Sequence, residues 1–356
     1  MPSPKEHTRL RRSGLILEDG VHLSYYYIGK GPGVIIVHGA LSFALTQLDL
    51  AVSLSDHYTV YLPSRRGRGL SGQYPETVTG ISRTFNVPSS DLESPPSYDL
   101  KMSTAVLNTD VSDLAALIKH TNSIFALGVS SGASILLESC VVASLYPDFH
   151  RIKKAIIFEP PIFLTDNPST GPEGIDITDI GRYDKEMENG DLTSALTTMT
   201  MLAKLGPKWL QASPRFVVRL ILGIASRLEK REIQKRGKPR DANHATNEAD
   251  IFLQYEDQGV TTMEGLAPLL RYDFAAIIAT RGPLSKYSKA NNGRDILLLG
   301  GSESPKYLKQ GLKSLNEIME GAQMIEIEGV GHGVLASKMW GGDVERAVGK
   351  IRAFFV

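Results

Sequence analysis

The chain has 356 residues, room for about two average domains or for one large α/β domain carrying an insertion. Lys and Arg number 39 and so do Asp and Glu, a balance that leaves no net field to draw nucleic acid or an anionic membrane. Hydrophobic residues at 42% and charged residues at 22% exclude disorder over the whole chain, and the lone Cys140 excludes an internal disulfide or a Cys-x-x-Cys metal knuckle.

The charged start, MPSPKEHTRLRR, lacks the apolar stretch of a secretory signal. Two antiparallel strands, 14–17 and 21–28, flank the Asp19-Gly20 turn, a dipeptide that favours tight hairpins. Compact apolar runs at 34–37, 58–62, 123–129 and 152–158 suit strands covered on both faces, and apolar residues at helical spacing mark 43–54, 103–119 and 133–145. Residues 74–96, rich in Ser, Pro and Thr, read as a long surface loop. Cys140 lies in an apolar stretch and reads as a buried residue rather than a reactive thiol. Past 160 the strand signal stops, and helices at 192–205, 214–235 and 261–276 are separated by Gly and Pro clusters. Strand 295–299, helix 307–319, strand 323–327 and helix 343–354 then resume the alternation. The expected division is a core formed by 1–159 and 293–356, with 160–292 inserted as a helical cap. Residues 214–240 begin apolar and end basic, which reads as a cap helix with a solvated tail, although such a pattern can also lie on a membrane. No run approaches the roughly 18 apolar residues of a membrane span, so a cytoplasmic location is the default expectation.

Gly128-Val129-Ser130-Ser131-Gly132 fits Gly-x-Ser-x-Gly directly after an apolar strand and before a helix, the context in which a serine is raised above the sheet edge as a nucleophile. The helix start beneath it offers free N–H groups and partial positive charge. A second strand ends in His38-Gly39, where the following loop can aim an N–H at the same place, so the two oxyanion donors are assigned to the backbones of Ala40 and Ser131. His38 itself reads as a structural ring that holds the loop. The base is expected late, at His332 among the glycines that follow the last strand, about 202 residues beyond Ser130. Gly67-Arg-Gly-Leu-Ser-Gly72 satisfies Gly-x-Gly-x-x-Gly by letter, but no helix, second strand and ribose-binding acid follow it. No cofactor and no metal are expected.

Taken in order, His38-Gly39, the turn Arg66-Gly67-Arg68-Gly69-Leu70-Ser71, Gly128-x-Ser130-x-Gly132 and Gly331-His332-Gly333 resemble the α/β-hydrolase superfamily over nearly the whole chain. The resemblance implies a mostly parallel eight-stranded sheet flanked by helices, an inserted helical cap, and a triad in chain order Ser, acid, His. The acid departs from the usual pattern. In that family it follows the penultimate strand in a Gly-x-x-Asp turn, and here Leu299-Gly-Gly-Ser-Glu-Ser-Pro305 puts Glu303 one residue early. Haloalkane dehalogenases can draw their acid from the strand after the nucleophile helix, and Glu159-Pro-Pro-Ile162 resembles their segment there, so Glu159 is preferred and Glu303 kept as the alternative.

The expectation is a cofactor-independent serine hydrolase acting through an acyl-serine on an ester, thioester or lactone of a small hydrophobic compound. Phe163, Met199, Met201, Leu202, Trp209, Phe216 and Leu220 are candidates for an apolar pocket under the cap. Dehalogenase and epoxide-hydrolase chemistry is disfavoured, because both need a carboxylate where Ser130 stands. A lyase, a carbon-carbon bond hydrolase, an acyltransferase, a cofactor-free oxygenase or a non-catalytic ligand-binding protein could retain the same Ser and His. Oligomeric state is not readable from the sequence.

Overall fold

A computed structural model describes residues 9–79, 100–164, 178–204, 206, 208–236 and 262–356. Its centre is one eight-stranded sheet in the order β1-β2-β4-β3-β5-β6-β7-β8. β1 (Arg11–Ile16) and β2 (His22–Gly29) form the opening hairpin, with Gly20 at φ 79° in the turn and the Asp19 side chain accepting from the Val21 N–H. β2 is also antiparallel to β4 (Thr59–Pro63), and every pair beyond it is parallel. β3 (Gly33–Val37), β5 (Phe125–Val129), β6 (Lys154–Phe158) and β7 (Asp295–Gly301) occupy the middle, and β8 (Gln323–Ile327) the far edge. The side chains of the four middle strands are almost all buried, on both faces, as their unbroken apolar runs require, whereas those of β8 are mostly exposed.

Register decides what stands where. Val37 pairs with Gly128, Val129 with Phe158, and Phe158 with Leu299, so these strands end almost level. The ladder runs one residue further, with the Ser130 N–H donating to Phe158 O and the Glu159 N–H to Leu299 O. Ser130, Glu159 and the β7 glycines are thereby held side by side along one rim.

Helices cover both faces. α1 (Leu48–Leu54) is preceded by a 3-10 turn at Ala44–Gln47, α2 is the short Glu76–Thr79, and α3 (Leu100–Thr121) and α4 (Ser131–Val141) follow. Most of the loop expected at 74–96 lies outside the described residues. After β6 come α5 (Thr178–Glu188), α6 (Leu192–Leu202), α7 (Lys208–Gln211) and α8 (Arg215–Arg236). α5 escapes the sequence reading because its stretch TDIGRYDKEME is polar and, among the described side chains of its first turns, buries Ile180 and Tyr183. The single helix expected over 261–276 is broken into α9 (Met263–Leu266), a 3-10 turn at Ala267–Leu269 and α10 (Leu270–Ala279). Pro268 is the cause, since it cannot donate to the helical ladder. α10 packs against α3 and α4. α11 (Lys306–Ile318) and α12 (Glu345–Phe355) close the fold, and the Phe355 ring stacks on Phe125 at 4.9 Å.

Candidate active site

The turn from β5 into α4 is sharp because it must pass between two strands. Ser130 sits there at φ 53° and ψ −122°, a conformation costing roughly 1–3 kcal/mol and held by its N–H bond to β6. Glycine makes the packing possible. A Cβ on Gly132 would lie 2.3 Å from Val37 O, and one on Gly39 would lie 3.0 Å from Ser130 Cβ, so the His38 loop rests directly against the serine. That loop turns through Leu41 at φ 49°. Neither the Ala40 nor the Ser131 N–H has a hydrogen-bond acceptor among the described residues. Among the described residues nothing competes with a ligand oxygen for either.

Glu159 is likewise in left-handed backbone, at φ 48°, and it is fully buried. Its Oε1 accepts from the Gly301 N–H at 2.7 Å, and its Oε2 meets His332 Nδ1 at 2.5 Å. With Nδ1–H donating to that carboxylate, Nε2 is left as the acceptor a base requires. The imidazole lies flat against the Phe158 ring, 6.0 Å between centroids and 19° between planes, in a loop closed by the Val334 N–H on Gly331 O. Burial and the nearby Glu159 charge push the Tyr307 phenol up. Glu303 is exposed, and its N–H donates to Val330 O. The structure therefore brings Glu159 and His332 together and leaves Glu303 apart.

His38 is fully buried, taking the Arg65 N–H on Nε2 and facing its neighbour Gly39 O with Nδ1. Both nitrogens are used. Burial, reinforced by the charges of Arg68 and Arg65, holds this imidazole well below the usual histidine range.

Beneath the turn from β5 into α4 lies a buried ion network. Asp273 of α10 accepts from Arg65 and Arg68, both at 2.6 Å, and from the Ser131 hydroxyl at 3.2 Å. Arg65 also grips Asp110 of α3, which accepts from the Tyr74 hydroxyl. The signal available was the Arg65-Arg66-Gly67-Arg68 run at a strand end, where three guanidinium groups need partners. Asp110 and Asp273 look like ordinary polar positions of their helices.

The set of pocket candidates divides. Phe163, Met199 and Leu202 are buried in one apolar cluster that includes Tyr183 and Phe274 and reaches Ala40 and Leu41 of the loop after β3. Met201, Trp209, Phe216 and Leu220 face outward instead, the last three more than half exposed. They lie on the outer sides of α6, α7 and α8, whose inner sides are taken by residues such as Leu196, Val218 and Leu222. Among the described residues no group of His, Cys, Asp and Glu could hold a metal ion.

A model of the alpha/beta hydrolase family matches residues 34–339. Among solved structures, an alpha/beta hydrolase from Sphaerobacter thermophilus is similar at 21% identity and a TM-score of 0.60, with 97% of this chain and 100% of that one covered. A bromoperoxidase from Bacillus anthracis is similar at 15% identity and a TM-score of 0.57, covering 96% and 99%. An epoxide hydrolase from Vigna radiata is similar at 17% and 0.55, covering 99% of each. At such identities the likeness speaks for the fold. The family match spans most of the chain, and with the strand order and the site at the strand ends it makes this protein a member of the alpha/beta hydrolase family.

Proposed function

We propose that the protein is a cofactor-independent serine hydrolase that cleaves an ester, thioester or lactone of a small hydrophobic compound. The observation that carries this reading is the pairing of His332 with buried Glu159, one strand over from a serine strained into the turn before α4. In the proposed cycle Ser130 Oγ attacks the carbonyl carbon while His332 Nε2 takes its proton. The same proton passes to the leaving alcohol or thiol, and the Ala40 and Ser131 N–H groups hold the oxyanion. Water, deprotonated by His332, then attacks the acyl-serine; the acyl carbon–Oγ bond breaks, His332 returns the proton to Ser130 Oγ, and the acid leaves. The apolar cluster of Phe163, Met199 and Leu202 beside Ala40 supports an apolar acyl or alcohol portion. Helices within 160–292 supply this cluster and act as the cap.

The fold is shared with an epoxide hydrolase and a bromoperoxidase. An ester-forming attack on an epoxide needs a carboxylate nucleophile, and Ser130 occupies that turn. A fluorophosphonate probe tests the reading. Wild type should be labelled and Ser130→Ala should not, with turnover of a short-chain aryl ester falling by about 10⁴-fold or more. An unlabelled wild type, or labelling that survives Ser130→Ala, would overturn it.

A further inference from the structure

The outward face of α8 is not explained by a hydrolase site. Phe216, Leu220, Ile224 and Leu228 are 73%, 63%, 47% and 53% exposed. Spaced four apart, they form one row along more than three turns of a 22-residue helix about 33 Å long. Arg227 and Arg231, also exposed, fall on the same arc, each eleven residues beyond Phe216 and Leu220. The opposite arc carries Val218, Leu222 and Ser226, which are buried against the body of the protein. Trp209, in the short helix just before, is 61% exposed. Monomeric proteins seldom leave so continuous an apolar row open, and such rows mark interaction surfaces.

Charge says what kind. The whole chain is neutral, yet α8 carries seven Lys and Arg against two Glu, a local charge of +5. Arg215 and Arg219, near its start, are occupied by Glu186 and Asp191. The other five basic residues all lie between 227 and 236. A second copy of the same face offers no net negative charge to meet these basic residues, whichever way it runs, which disfavours self-pairing. No helix among the described residues is long and apolar enough to cross a membrane. We propose that α8 lies flat on an anionic lipid surface, its apolar row in the acyl boundary and its arginines at the headgroups. Chain neutrality had suggested no attraction to such a surface; the charge is instead concentrated on one helix.

The test is co-sedimentation of the full chain with vesicles of phosphatidylcholine alone or mixed with phosphatidylglycerol, and it requires no turnover. Binding should be at least about tenfold stronger to the anionic vesicles and weaken with added salt. Leu220→Ser with Ile224→Ser should abolish it, and Arg227→Glu with Arg231→Glu should remove the preference for anionic lipid. Both pairs are exposed, so circular dichroism should be unchanged. A Trp340→Phe background leaves Trp209 as the sole tryptophan, whose emission should shift to the blue on binding. Absent binding, equal binding to both vesicle types, or unaltered binding by both variants would overturn the proposal. So would a wild-type dimer that Leu220→Ser with Ile224→Ser splits into monomers, because the face would then be a self-interface.

Discussion

Glu159 combines burial, a positive φ and two accepted hydrogen bonds, and each follows from its place just past the end of β6. Left-handed backbone turns its carboxylate sideways toward β7, where the Gly301 N–H fixes one oxygen and leaves the other for His332. If it orients the base, Glu159→Gln should lower turnover by roughly 10³- to 10⁴-fold while Glu303→Gln changes it less than about threefold, measured side by side on one ester. Collapse in the second variant with full activity in the first would reverse the assignment. His38 makes a different prediction. Its folded imidazole is depressed, so its contribution to stability is complete above the unfolded value near 6.5 and lost as pH falls, by roughly 1.4 kcal/mol per unit. Asp113 opposes it, because burial raises its carboxyl to about 6 and its contribution is lost as pH rises through that value. Urea unfolding at about pH 7.5 and about pH 5.5 should therefore show a smaller acid loss in His38→Gln than in wild type. Equal losses would contradict the neutral, buried ring. Ser130 and His332 are conspicuous in the sequence because glycines flank each. Glu159 was harder to choose, since a carboxylate before two prolines has the same letters whether it caps a strand or serves a base.

Strands and helices were legible in proportion to how much apolar surface they bury. β3, β5, β6 and β7 stand out as apolar runs, whereas polar α5 does not, and Pro268 divides a helix whose periodicity alone looks continuous. What periodicity cannot give is register, and the site depends on it: Ser130 and Glu159 are neighbours because Val129 pairs with Phe158. The close approach of α4 to β3 leaves this arrangement little room for change. Gly132→Ala would place a methyl 2.3 Å from Val37 O and 2.5 Å from His38 O, and neither strand nor helix can yield without moving the other. We expect a loss of about 2 kcal/mol or more in chemical denaturation, accompanied by loss of fluorophosphonate labelling in the protein that remains folded. Unchanged stability would show that α4 has room to shift.

At the scale of the molecule, the buried network ties together parts of the chain more than 200 residues apart. Arg65 and Arg68 leave the end of β4, Asp110 comes from α3, and Asp273 arrives on α10 after the helical segment. Two guanidinium groups share the Asp273 carboxylate, so Asp273→Asn leaves buried positive charge uncompensated and should cost about 3–5 kcal/mol in urea unfolding. A loss below about 1 kcal/mol would mean that water replaces the carboxylate. The sequence shows the arginine run but not its partners Asp110 and Asp273, because long-range charge pairing carries no periodic signal. The position of Glu159 has a further consequence, one for recombination. In the usual arrangement the acid and the base both follow the cap; on the assignment proposed here Ser130 and Glu159 both precede it, and only His332 follows. On that assignment, genetic exchange between residues 164 and 262 would replace the helices of the proposed cap without carrying away the serine, its carboxylate partner or the Asp273 anchor. The proposed triad would give the chain a seam at which new substrate ranges could be grafted onto an inherited reaction centre.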